Sequence, residues 1–164
     1  MKRGRRGNMV LEAALWFPVV LLMLVGMVQL AKITYLYYSL KKAVYTAARY
    51  LSVQQGVNFC DLSNDPNVTA ALQLAVTGTT DGSGAALISN LTTDMFAVSA
   101  ECVDPGTGTP GPCGNAGCPT VSQRPDYILV TMPVGYLVQP RIPFITLDPI
   151  PLRPFVMVPF EGTS

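Results

Sequence analysis

Histidine is absent from all 164 residues, which removes histidine-based triads, imidazole metal sites and imidazole proton shuttles. Charge is scarce too: Asp, Glu, Lys and Arg make up 13% of the chain, about half the share of an ordinary soluble domain. With 49% apolar residues the chain is not disordered, because disorder needs low hydrophobicity and high charge. It also lacks a phosphate-binding glycine loop and a G-x-S-x-G elbow. No enzyme activity, no metal and no cofactor is expected. At this length one folded domain is the natural content.

What charge there is lies unevenly. Lys2, Arg3, Arg5 and Arg6 open the chain, whereas residues 50–164 hold three bases against nine acids, a net of −6. A nucleic-acid binder shows the reverse, a basic folded surface, so nucleic acid is not an expected partner. From Ala13 to Ala31 no charge occurs. As a helix this run of about 19 residues spans roughly 28 Å, close to the hydrocarbon core of a lipid bilayer. The bases before it keep that end in the cytoplasm and send the rest across. A cleaved secretory signal fits poorly, because the apolar run is too long and offers no small-x-small site. A plain membrane tether fits well.

The stretch Arg5-Arg6-Gly7-Asn8-Met9-Val10-Leu11-Glu12 is more specific. A carboxylate inside a membrane helix costs about 2.5–3.5 kcal/mol at the centre and less near an end, and it usually has a partner. If the chain is cut after Gly7, Asn8 gains an α-amino charge, and Glu12 lies four residues on along the same helical face. The amine of one copy then neutralises the acid of its neighbour. The alternative is that Glu12 only favours the positive end of its own helix. Pro18 removes one backbone donor and the bond to the Ala14 carbonyl, so a kink is expected there.

Basic leader, Gly, four residues, Glu and some 20 apolar residues resemble the type IV pilin pattern read by a prepilin peptidase. The fuller stretch from Arg5 to Val53 resembles the TadE-like family of tight-adherence (Flp-type) pilus proteins. It does so through Gly7, Leu11-Glu12, Ala13-Ala14-Leu15, Pro18 and Ala47-Ala48-Arg49. Ala13 stands where an aromatic residue is usual. The resemblance implies a minor pilin or pseudopilin, cut between Gly7 and Asn8, that assembles through Glu12 and Pro18 and serves pilus assembly and adhesion. Its implied partners are other pilin subunits, a prepilin peptidase, an inner-membrane platform with a cytoplasmic ATPase, and the lipid bilayer. It also implies residence in the bacterial inner membrane, with the N-terminus cytoplasmic, before passage into an extracellular pilus. A filament-forming major pilin and a single-pass protein that never polymerises are the alternatives.

The fold expected is α+β: a long N-terminal transmembrane helix running into a small pilin-like head with an antiparallel sheet. Residues 1–7 form the leader, 8–53 the helix with its span at about 13–31, and 54–164 the exported head. Ile33, Leu36, Tyr37, Leu40, Val44, Ala47, Ala48 and Leu51 recur at helical spacing, with no Gly or Pro between Lys32 and Val53. Tyr35, Tyr37, Tyr38, Tyr45 and Tyr50 read as an interfacial belt plus core packing. A second helix is expected over 65–78, capped by Asp65, with Pro66 in its first turn and Gly78 at its end. Strands are expected near 96–103, 127–132, 135–138 and 155–158. The Gly/Pro-rich stretch from Asp104 to Pro119 reads as loop, and Pro140–Pro154 as extended connection or edge strand at best. Cys60, Cys102, Cys113 and Cys118 fall in the exported part, where oxidation pairs them as two disulfides. Three connectivities are open; the order in the chain favours Cys113 with Cys118 and Cys60 with Cys102.

Overall fold

The computed structural model describes residues 4–113, 124–142 and 145–162. Helix α1 runs from Gly4 to Val53 as one element that passes through Pro18. It begins earlier than the expected start near residue 9, because residues 4–8 hold nothing that stops a helix except Gly. A small antiparallel sheet domain follows, so the architecture is α+β with one membrane-type helix. By contacts the chain divides into two units, Met1–Leu36 with Val138–Ile150 and Tyr37–Leu137 with Pro151–Ser164.

In the second unit α1 buries one stripe. Leu40, Val44, Ala47, Ala48 and Leu51 are wholly inaccessible, at the three- and four-residue steps that place them on one face. Three of the expected apolar positions, Ile33, Leu36 and Tyr37, are not buried. The end of α1 is closed by the far end of the chain. The backbone N–H groups of Glu161 and Gly162 both donate to the Ser52 carbonyl, at 2.8 and 2.9 Å. That satisfies one of the orphan carbonyls that every helix leaves. Gly162 is required by the close approach, since a Cβ there falls 2.5 Å from the Gln54 carbonyl oxygen.

Helix α2, Pro66–Thr77, forms as its end signals predict. The Asp65 carboxylate accepts from the N–H groups of Asn67 and Val68, and Gly78 closes the helix at φ +81° with its N–H on the Leu74 carbonyl. Val68, Ala71, Ala75 and Val76 turn inward. A single 3-10 turn, Thr93–Met95, leads into the sheet.

Among the described residues eight short strands follow: β1 Ala97–Val103, β2 Pro110–Pro112, β3 Tyr127–Thr131, β4 Tyr136–Val138, β5 Arg141–Ile142, β6 Ile145–Thr146, β7 Ile150–Leu152 and β8 Phe155–Pro159. The main sheet has the order β2-β1-β3-β8 and is antiparallel throughout. Its register places Val98, Val130 and Val156 in one row and Ala100, Ile128 and Val158 in the next, on one face. Ile128, Val130, Ala100 and Val158 are buried there, and Leu51 of α1 and Val57 share an interior space with Ala100 and Ile128. Strands β4 and β7 pair as a two-stranded ladder, and β5 with β6 as another. The proline-rich stretch after residue 140 is thus broken into two- and three-residue strands rather than left as connection.

Strand β2 corrects the reading of the Gly/Pro-rich stretch as loop. Asp104 turns the chain back: its carboxylate accepts from the Gly106 N–H at 2.7 Å, and its carbonyl accepts from the Gly108 N–H at 2.7 Å, with Gly108 at φ +69°. The returning chain lies against β1 with Cys102 opposite Gly111. This brings Cys113 to Cys102, and the two form a disulfide. The favoured pairs Cys113–Cys118 and Cys60–Cys102 are therefore wrong. Closeness along the loop was the false guide; a hairpin turn shortens the path to Cys102 instead. Cys60 is disulfide-bonded as well, and Cys118 lies outside the described residues.

Candidate functional site

Helix α1 changes character along its length. From Leu11 to Leu24 every residue is exposed, including Trp16, Phe17, Leu21, Leu22 and Leu24. A helix apolar all round and covered by nothing in its own chain is not a surface helix of a soluble domain. It is the one helix among the described residues long and apolar enough to cross a membrane. A methyl built on Gly26 meets no atom within 4 Å, so the chain's own packing places no demand for glycine there. Beyond Leu36 the helix becomes one-sided, with its buried stripe facing the sheet.

The expected site residues distribute along this element. Gly7 and Asn8 lie within the helical backbone. Glu12 is exposed one turn further on, and Pro18 lies inside the exposed apolar stretch. Among the described residues Glu12 forms no ion pair; the ion pair that is formed joins Arg49 and Glu161, at 3.7 Å, with both ends half-exposed. The structure does not bring Glu12 together with the cysteines, which belong to the head.

The core-packing part of the tyrosine expectation does not hold. None is buried: Tyr35, Tyr37, Tyr38 and Tyr45 are exposed and Tyr50 is half-buried. The core position beside the sheet is taken by Leu40, Val44 and Leu51, which leaves the rings on the flanks and the opposite face.

In the head, acidic side chains act mainly as local acceptors, as turn positions suggest. Asp65 is buried and its second carboxylate oxygen accepts from the Asn58 N–H at 2.6 Å, so one side chain both caps α2 and pins the preceding loop. Asp126 does more than accept locally. Its carboxylate accepts from the Val103 N–H, its N–H donates to the Glu101 carbonyl, and its carbonyl accepts from the Phe160 N–H. It ties the ends of β1, β3 and β8 together. The Asn64 amide and Ser63 hydroxyl beside Asp61 hold its carboxyl below the usual range. The Ser83 N–H and hydroxyl do the same for Asp81.

A groove of about 470 Å³ lies between α2 and the start of β1, and Asp94 is the one ionisable side chain in its lining. Among the described residues no group of histidine, cysteine and acids is placed to hold a metal.

With this geometry in place, the comparison with known proteins falls on α1. Residues 7–49 match the family of TadE-like proteins. The matched segment holds Gly7, Glu12, Pro18 and Ala47-Ala48-Arg49, and it covers both the exposed apolar length of α1 and most of its buried stripe. The sheet domain lies outside the TadE-like match. No curated protein and no solved structure matches the chain. The match makes α1 similar to TadE-like proteins, and its apolar length makes it a candidate membrane span.

Proposed function

We propose that this chain is a pilin-like structural subunit, a minor pilin or pseudopilin of a tight-adherence pilus, and that it is not an enzyme. The observation that carries the reading is that the matched helix leaves every residue from Leu11 to Leu24 exposed. Lipid covers that surface before assembly, and the helices of other subunits cover it afterwards. Association in lipid has no hydrophobic driving force between helices, so it depends on packing and on polar pairs.

Glu12 supplies the polar pair. Cleavage after Gly7 gives Asn8 a positive terminus, and the Glu12 carboxylate of a neighbouring subunit neutralises it. The pair is satisfied at one axial offset between helices, so it sets a register while removing the cost of an acid at the lipid edge. The resemblance supports a prepilin peptidase, an inner-membrane platform and an assembly ATPase as partners. It supports an inner-membrane location with the head outside, followed by incorporation into an extracellular pilus.

The test is Glu12→Ala together with the mass of the mature N-terminus. Normal membrane insertion with loss of the chain from sheared filaments is the expected result, with a wild-type chain that begins at Asn8. Retained Met1 in the membrane, or unchanged incorporation of Glu12→Ala, defeats the reading and leaves a simple tether. If the chain instead dominates the sheared filaments, it is a major pilin.

A further inference from the structure

The head carries two surfaces of complementary character. The first is the face of α1 opposite its buried stripe. Tyr38, Lys42, Tyr45 and Arg49 follow at steps of four, three and four residues, which aligns them as a ridge. Tyr38 is 65% and Tyr45 50% exposed, and both bases are exposed. Between Lys32 and Val53 the helix has four bases and no acid.

The second surface is a trench beside Leu62 and Ser63. The groove of about 470 Å³ and another of about 330 Å³ share these two residues and Val98. Leu72, Phe96, Val98 and Phe59 supply apolar lining, Asp94 lines one groove and Asp61 the other, and neither lining contains a base. The Asp61 carboxylate accepts from the Ser63 hydroxyl and the Asn64 amide at the trench rim. An apolar trench with an acid in each half suits a ridge in which aromatic rings alternate with bases.

We propose that the Tyr38–Lys42–Tyr45–Arg49 ridge of one copy docks in the Asp61/Asp94 trench of a second copy of this chain. The inference rests on the assembly reading above and names the head contact that accompanies helix packing. Anionic lipid is the weaker occupant. Lys42 lies 11 residues past Ala31, about 16 Å along the helix, and Arg49 further still, whereas the headgroup layer adds only about 5–7 Å to each side of the hydrocarbon. The two surfaces differ, so each docked pair still offers a free ridge and a free trench. Contacts of that kind link copies head to tail, into a ring or an open row, rather than closing a two-fold pair. A shared membrane raises the effective concentration of heads, so a contact smaller than a free-standing dimer interface suffices.

The test places a benzophenone photocrosslinker at Tyr45 of the full chain in its native membrane, with the mature N-terminus and filament incorporation measured in the same cells. The expected adduct joins two copies and maps to residues 59–73 or 93–98. Lys42→Glu is expected to lower its yield about fivefold, and Asp94→Lys added to Lys42→Glu to restore it. An adduct with lipid, with a different protein or elsewhere on the second copy overturns the proposal, and so does an unchanged yield in Lys42→Glu. A chain that starts at Asn8 and enters filaments without the adduct defeats the docking alone. The mapped adduct on a chain that retains Met1 upholds the docking and defeats the pilin reading.

Discussion

Replacing Asp65 separates two jobs that one buried carboxylate performs. Its Oδ1 accepts from the Asn67 and Val68 N–H groups at 2.7 and 3.3 Å, and its Oδ2 accepts from the Asn58 N–H at 2.6 Å. Loss of a helix cap costs about 1 kcal/mol. A buried donor left without an acceptor costs about 1–3 kcal/mol more, and Asp65 is only 4% exposed, so water does not readily replace it. Asp65→Ala is therefore expected to lower the free energy for opening α2 and the 58–64 loop by about 2–4 kcal/mol. Asp65→Asn keeps the cap oxygen but turns an amide donor toward the Asn58 N–H, so it loses about half as much. Amide hydrogen exchange on the full chain in detergent reads this directly, because tenfold faster exchange corresponds to about 1.4 kcal/mol. The α2 amides of Asp65→Ala are expected to exchange roughly 30- to 1000-fold faster, with those of Asp65→Asn between this and wild type. Equal exchange in the two variants refutes the division of labour, and wild-type exchange in Asp65→Ala refutes the cap itself.

Three further outcomes follow from the head. The double change Cys102→Ser with Cys113→Ser opens a loop with a sequence separation of 11, and chain entropy puts the loss at about 3 kcal/mol, read as a lower melting temperature of the head; a non-reduced digest should hold the Cys102–Cys113 peptide pair. The Asp61 carboxyl, lowered by Asn64 and Ser63, is expected to titrate below an ordinary aspartate in NMR, and Asn64→Ala to raise it. Because the folded value is the depressed one, the stability it contributes is present at neutral pH and fades as the pH falls through that value. Gly162→Ala places a methyl against the Gln54 carbonyl and the Phe160 ring, so a cost of about 1–3 kcal/mol and lost protection of the Glu161 amide are expected.

Helix α2 was legible because its signals are local: an acid cap, a proline in the first turn, small and apolar residues at helical steps, and a terminal glycine. The buried stripe of α1 was legible for the same reason, since periodicity needs no knowledge of the partner. The disulfide was not. Which cysteine meets Cys102 depends on a turn at Asp104–Thr109 that reverses a Gly/Pro-rich stretch, and composition alone reads such a stretch as loop. The pairs between residues 140 and 154 were legible only as edge strand at best, because proline removes a donor without forbidding a two- or three-residue pairing at an edge. The tyrosines show a third limit. Spacing placed Tyr37 on the face of Leu40 and Leu51, but burial of that face begins only at Leu40, because periodicity does not say where along α1 the sheet starts to cover it. In the candidate site, Glu12 and Gly7 were visible from charge against an apolar background, whereas the trench beside Leu62 needs α2 and β1 in place before it exists.

The matched segment and the sheet domain do different physical work, and the charge pattern follows that division. A tether needs apolar length and a basic cytoplasmic flank, and residues 2–31 already provide both. Nothing in tethering requires a further 20 residues of helix beyond the bilayer, nor four bases on that length. The core of the head explains that length but not its bases: the stripe of Leu40, Val44, Ala47, Ala48 and Leu51 accounts for the buried side, and the ridge of Tyr38, Lys42, Tyr45 and Arg49 lies on the other. Four bases without an acid repel one another along a helix unless an opposing charge is supplied. Within the described residues Glu161 supplies one such charge, to Arg49, across a half-exposed pair worth at most about 1 kcal/mol. The remaining positive charge faces outward, while the rest of the head is strongly acidic. On the docking proposed above, a chain that separates its charges in this way gains by lying beside copies of itself, and a common helix direction in the membrane gives those copies one order.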